Sequence, residues 1–220
     1  QYFTARDARF QRQVDEWLGQ GHLKIWSHGF HRLTARGLVP PTPSYPRYVF
    51  PRGMNTMGKV LGEGLKIRTE TKVARVEPSG EAWRVLSETL ETFEAKTVIL
   101  NMPAEQALNL CGFELGDMKG QLEQVVMEPS FALMLGFDKT FSPDWQGILV
   151  ETSDIISWIS HDSSKRTSRD ETVLVIHSTP QFARDHFDDN PETVKAELLS
   201  NLATLDLSPS SFLPPPHWSD

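Results

Sequence analysis

One cysteine, Cys111, occurs in 220 residues. No internal disulfide can form, and a reducing cytoplasm fits. Within "ALNLCGF" it reads as a small apolar filler rather than a nucleophile. Apolar runs near the roughly 20 residues of a membrane span are missing. A basic excess is missing too: 22 Lys and Arg stand against 29 Asp and Glu, a formal net charge of -7. That balance argues against a nucleic-acid or anionic-membrane surface. A complete G-x-G-x-x-G fingerprint is also lacking. "GQGHLK" and "GEGLKI" carry its first two glycines but not the third, and both fall where a helix is expected to end. By itself the chain has no phosphate-binding loop. There are no internal repeats and no low-complexity tract beyond "PPP".

What is present suits a substantial core, in one large domain or two small ones. "TARDARFQRQVDEWLGQG" predicts a helix. Thr4 and Asp7 have capping-box spacing, Phe10, Val14 and Leu18 share a face with Trp17 beside it, and Gly19 and Gly21 supply the stop. Residues 27 to 51 are rich in Pro, Gly and His and read as loop, with an extended piece near "RYVF". A short helix follows over about Met54 to Leu61, with Met54, Met57, Val60 and Leu61 on one side. "LKIRTETKVARV" alternates as a strand, "EPSGEA" is turn chemistry around Pro78 and Gly80, and "AWRVL" pairs back. "ETFEAKTVIL" is a further strand, and its continuously apolar "TVIL" predicts cover on both faces. "PAEQALNLC" predicts a helix with Pro103 in its first turn.

Beyond Gly112 the chain turns β-rich. "QVVMEPSFALMLGFD", "GILVE", "IISWISH" and "TVLVIHST" are separated by polar turns and predict an antiparallel sheet. A last helix begins "NPETVKAELLSNL", capped by Asn190, with Pro191 first and Val194, Leu198, Leu202 and Leu205 as its buried stripe. His22, His28 and His31 are loosely spaced in a predicted loop without a nearby cysteine, so no metal site is expected. "HDSSK" (His161 to Lys165) could suggest serine–lysine chemistry. A turn in which Asp162 and Ser163 bond to their own backbone is the simpler reading.

Five blocks in order resemble the renalase-like branch of the flavin-dependent amine oxidases, often labelled NAD(P)/FAD-dependent oxidoreductases. They are "QYFTARDARF", "YVFPRGMNTMGKVL", "IRTETKVARVEPSGEAWRV", "AKTVILNMPAEQALNLC" and "WISHDSSK" with "VLVIHSTPQFAR". The resemblance implies a mixed α/β and α+β chain in two lobes. Residues 46–112 would form a partial FAD/NAD(P)-binding fold with a β-meander. Residues 1–45 and 113–220 would form a substrate domain built on an antiparallel sheet with flanking helices. It also implies a central fragment of a longer flavoprotein. The N-terminal glycine-rich loop and a C-terminal segment are absent, so FAD, the cofactor of the full-length protein, would not be retained by this piece.

The same resemblance assigns roles. Gln1 and Tyr2 would lie near the flavin ring. Arg52, Gly53 and Met54 would sit where chain and cofactor approach closely, with free N–H groups at the following helix start. Val73 would meet the adenine through its backbone, and Met102 and Pro103 would end a strand at the cofactor crevice. Trp158 and His177 would line the substrate pocket, with Asp162, Ser163 and Lys165 as polar contacts. For Val73, Met102 and Trp158, plain core packing is the competing reading. The implied reaction takes a hydride from a small reduced substrate, NAD(P)H-like or an amine, and passes electrons to oxygen, with no catalytic residue assigned. The alternative is a non-catalytic module that binds a small ligand or a protein partner.

Overall fold

A computed structural model describes residues 1–111, 115–138, 143–167, 170–207 and 215–220. The chain divides into two units, residues 1–63 with 128–220 and residues 64–127.

In the first unit, helix α1 (Ala8–Gly19) is capped by Asp7, whose carboxylate accepts from the Arg9 and Phe10 amides at 2.8 and 3.2 Å. The expected box with Thr4 does not form, because the helix begins only after Asp7. Val14 and Trp17 are buried with Leu23, Tyr48 and Phe50, while Phe10 stays at the exposed rim. Strand β1 (Lys24–Ser27) ends where the stretch read as loop begins, and that stretch holds three more, β2 (His31–Thr34), β3 (Gly37–Val39) and β4 (Arg47–Val49), the last at the extended piece expected near "RYVF". None exceeds four residues, too short for alternation to register in sequence. Helix α2 (Asn55–Leu61) then leans Met57 and Val60 on the Tyr48–Phe50 cluster.

Strands β8 (Ala132–Asp138), β9 (Gly147–Val150), β10 (Ile156–His161) and β11 (Glu171–Ser178) follow the four predicted β-rich segments. With β12 (Trp218–Ser219) they build a seven-stranded sheet in the order β12-β8-β11-β10-β9-β2-β3. Every pairing is antiparallel except β2 with β9. Along β11 burial alternates, so Thr172, Leu174, Ile176 and Ser178 face inward. Helix α6 (Pro191–Thr204), capped by Asn190, lays Val194, Leu198 and Leu202 on that core. A short helix α5 (Pro180–Asp185), not predicted, is capped by the Thr179 hydroxyl.

The second unit is a meander of β5 (Val73–Ser79), β6 (Ala82–Ser87) and β7 (Thr92–Ala95), followed by α3 (Ala104–Cys111) and α4 (Met118–Glu123). Two expected strands are cut short. The β5–β6 ladder starts at Val73 opposite Ser87, where β6 ends, so residues 65–71 have no rung to join; Glu70 also takes φ 55°, which breaks an extended run. At the other end β7 stops at Ala95 opposite Trp83, beside the start of β6. "TVIL" therefore lies past the last rung, and Ile99 is 87% exposed rather than covered on both faces. Pro78 belongs to β5, and the tight turn is at Gly80, which takes φ 62°. Cys111 is buried, its thiol donating to the Ala107 carbonyl at 3.1 Å.

These units differ from the expected lobes at two stretches. Residues 46–63 cluster with the first unit, because Tyr48 bonds across to Phe3 and β4 pairs with β1. Residues 115–127 cluster with the second.

Candidate functional site

The first unit gathers Tyr2, Trp26, Phe30 and Trp158 into one aromatic cluster. Trp26 ends its turn of β1 beside Ser27, Phe30 precedes β2, and Trp158 lies on β10. Ring centroids are 5.7 Å apart for Tyr2–Trp26, 5.1 Å for Tyr2–Phe30, 5.2 Å for Trp26–Phe30 and 4.7 Å for Phe30–Trp158. Tilted and edge-on contacts of this kind suit ring quadrupoles. Trp26 and Phe30 are buried, whereas Tyr2 is 41% exposed and Trp158 is half-buried, so those two form the open side. On the neighbouring strand His177 stands opposite Trp158. Its imidazole is held below the ordinary histidine range, first by burial, with the positive charge of Lys165 adding to it.

Next to the rings is an ionic turn. Residues Asp162–Lys165 form a 3-10 turn after β10. Lys165 Nζ donates to Asp162 Oδ1 at 2.8 Å and lies 4.7 Å from the Trp26 ring centre. Arg166 Nη2 donates to the other Asp162 oxygen at 3.2 Å. Burial, the largest single influence, would raise the Asp162 pKa, yet Lys165 and Arg166 together hold it below the usual carboxylate range. The Asp162 side chain thus bonds two cations rather than its own backbone. Ser163 is buried; its hydroxyl donates to the Glu171 carbonyl at 2.9 Å and accepts from the Val173 amide at 2.8 Å, which pins the turn to β11. Ser164 accepts from Trp26 Nε1 at 2.6 Å, locking the indole.

A hollow of about 120 Å³ brings together Gln1, Val49, Phe50, Gly53, Met54, Asp162, Lys165 and Arg166. Gln1, Gly53 and Met54, expected at the cofactor, thus share one wall with Asp162 and Lys165, expected at the substrate. Gly53 takes φ 107°, and an added Cβ would meet Asn55 Oδ1 at 3.1 Å and Arg166 Nη1 at 3.3 Å. Backbone conformation and a neighbouring guanidinium therefore both require glycine there. Arg52, one residue earlier, is exposed.

Val73, Met102 and Pro103 belong to the second unit. Val73 opens β5, an outer strand of the meander. Met102 lines a cavity of about 410 Å³ with Val76, Trp83, Leu100 and Cys111, and Pro103 is exposed, its carbonyl accepting from Ala107.

Trp26, Phe30, Arg47 and Arg166 escaped sequence reasoning. The "W-S-H-G-F" spacing was visible, but a Gly- and His-rich setting hid its strands. Gly147 was a second signal: an added Cβ would lie 2.3 Å from Trp158 Cη2, so the glycine makes room for the indole.

The family description for flavin containing amine oxidoreductases matches residues 4–219. Renalase of Mus musculus is 23% identical over 205 residues, spanning 84% of this chain and 60% of its own length. Among solved structures, a protoporphyrinogen oxidase from Exiguobacterium sp. 255-15 superposes with a TM-score of 0.61 at 19% identity, over 79% of this chain and 39% of that one. Wild-type putrescine oxidase bound to putrescine gives 0.60 at 18% identity, over 81% and 39%. These likenesses show a shared fold, and the chain spans 60% or less of the length of each of these relatives.

Proposed function

Because the chain belongs to the flavin containing amine oxidoreductase family, we propose that it is the central part of an FAD-dependent oxidoreductase that takes a hydride from a small reduced substrate. The observation that carries the reading is the meeting of Tyr2, Trp26, Phe30 and Trp158 beside the Gln1–Gly53–Lys165 hollow, from segments far apart in sequence.

The residues present fit part of a flavin site. Val73 opens β5, an outer strand of the meander, whose free edge is where adenine recognition through the main chain would take place. Gln1, Gly53 and Met54 would border the flavin ring in the first unit, with Tyr2 between ring and substrate. Arg52 would face the phosphates; Met102 and Pro103, which belong to the second unit, keep the cofactor role that the family resemblance implies. The hollow of about 120 Å³ is small beside the roughly 300–1,000 Å³ of ordinary ligand pockets. With no glycine fingerprint for the diphosphate, this chain alone would not retain FAD. A bound flavin would supply the redox chemistry, accepting the hydride and passing two electrons to oxygen, which leaves as hydrogen peroxide.

The chain's own residues position and exclude. Trp158 offers a face for a flat substrate ring. His177, kept neutral, can donate or accept one hydrogen bond without adding charge. Asp162, Ser163 and Lys165 hold the polar rim in place. No acid–base pair is needed for a hydride step, and none is assigned. The test is to express the protein with the sequence flanking residues 1–220 and record flavin absorption and peroxide production. A yellow protein whose KM rises in Trp158→Ala supports the reading. A colourless protein that takes up no FAD overturns it.

A further inference from the structure

We propose that residues 40–46 form a preshaped docking strap for a partner protein whose groove is lined by aromatic side chains and reads polyproline II ligands. This goes beyond the oxidoreductase reading and does not depend on it.

The strap joins β3 to β4 and reads P-P-T-P-S-Y-P. Each proline ring fixes its own φ near about −65°. Val39, Pro40, Thr42 and Tyr45 each precede a proline, which drives them out of the helical region toward extended or polyproline II backbone. Among residues 39–46 only Ser44 escapes both constraints, and Ser44 is the residue that hydrogen bonds hold. Its amide and its hydroxyl both donate to the His28 carbonyl, at 2.6 and 3.2 Å. Arg47 donates to Ser44 Oγ and, at 2.8 Å, to the Tyr45 carbonyl. Residues 40–44 join no helix or strand, as suits a backbone without internal hydrogen bonds.

A polyproline II chain turns once in three residues, so positions three apart share an edge. Pro41 and Ser44 make the inner edge. A Cβ added to Gly29 would lie 2.9 Å from Pro41 Cβ and 2.7 Å from the Thr42 carbonyl oxygen, so the glycine lets the strap sit down. The two other edges face out. Pro40 and Pro43 lie on one, Thr42 and Tyr45 on the other, and all four are exposed, Tyr45 at 59%. Pro46 is half-buried where β4 begins and ends the outer edge. The Arg6 guanidinium carbon, 5.4 Å from the Tyr45 ring centre, restrains the phenol. Seating on Gly29 and His28 accounts for the inner edge. It does not account for an outer edge with P-x-x-P spacing beside an exposed tyrosine, which is the ligand that aromatic-lined grooves take. Prolines already held in the bound conformation lose little entropy on docking.

The probes are a purified set of SH3 and WW domains, titrated into isotope-labelled residues 1–220 and followed by amide signals in NMR. At least one domain should bind saturably, with shifts centred on Thr42, Ser44 and Tyr45. An excess of that domain's own proline-rich peptide should release the protein, which places the contact in the aromatic groove. Pro40→Ala/Pro43→Ala should weaken binding at least about tenfold. Tyr45→Ala should weaken it at least about threefold and serves where the double variant fails to fold, as its urea midpoint would show. The proposal is overturned if no domain binds, if the shifts lie away from the strap, if the peptide does not compete, or if binding is unmoved in a folded variant. Each of those results would leave the prolines as stiffeners of the β3–β4 connection.

Discussion

The Trp158 indole lies over Gly147 so closely that an added Cβ would stand 2.3 Å from Cη2, 2.7 Å from Cζ2 and 3.2 Å from Phe30 Cδ1. The two residues sit on paired strands, β9 and β10, two residues out of register and so on one face of the sheet. The open side of the aromatic cluster therefore depends on a missing side chain on the strand beneath it. Gly147→Ala should cost about 1–3 kcal/mol through overpacking. It should also displace the Trp158 ring, so near-ultraviolet dichroism changes along with the urea midpoint. An unchanged midpoint and spectrum would show that the indole is not seated as described.

Asp162 predicts an acid limit. Its carboxyl titrates below the ordinary value in the folded chain, so its contribution is complete above about pH 3.9 and is lost as pH falls through the lower folded value. Asp162→Asn should lose about 1–3 kcal/mol near neutral pH, because buried Lys165 keeps its charge without its partner. The variant's stability should then fall less steeply than the native chain's at acid pH. Parallel slopes would remove Asp162 from the account.

His186 predicts the opposite sign. Its Nδ1 lies 2.7 Å from Asp189 Oδ2, and that hydrogen bond raises its pKa, outweighing desolvation, with the charges of Glu197, Asp189 and Asp185 adding to it. Stability from the pair is complete below the ordinary histidine value near about 6.5 and is lost as pH rises through the folded one. An NMR titration should place His186 above the ordinary histidine value, and Asp189→Asn should bring it down. No movement in the Asn variant would count against the pair.

Leu198 tests the joint between α6 and the large sheet. It is 2% exposed within the cluster that includes Leu133, Ile159 and Ile176. Leu198→Ala should cost about 2–5 kcal/mol, the range for a buried leucine that leaves a cavity. Denaturant unfolding measures it, and a loss under about half a kilocalorie per mole would mean that the helix is not anchored there.

Long periodic segments and caps were legible before any coordinates. The apolar face of α1, Asn190 and Pro191 in α6, and the β-rich run of β11 are local signals, and each produced its element, although α1 is capped by Asp7 alone and not by the box with Thr4. Pairing partners were not legible. "TVIL" reads as a covered strand because it is apolar, but cover requires a neighbour, and β6 begins too late to supply one past Ala95. Of residues 27–51 only the extended piece near "RYVF" was legible; β2 was missed for the converse reason, being held by Ile148, Leu149 and Val150 of β9, contacts that its own four residues do not announce. At the site, Trp158, Lys165 and His177 stood out by type and place. Trp26 and Phe30 did not, since only the fold brings them to Trp158.

The parallel pairing of β2 with β9 sets an order of events during synthesis. Arg32 and its partner Glu151 are 119 residues apart, with the whole meander unit encoded between them. On a ribosome β2 can pair with β3 at once, but its other edge must wait until residues 147–150 have cleared the exit tunnel. The later-encoded meander has its local pairs available first, so it can mature while its neighbour is still an open chain.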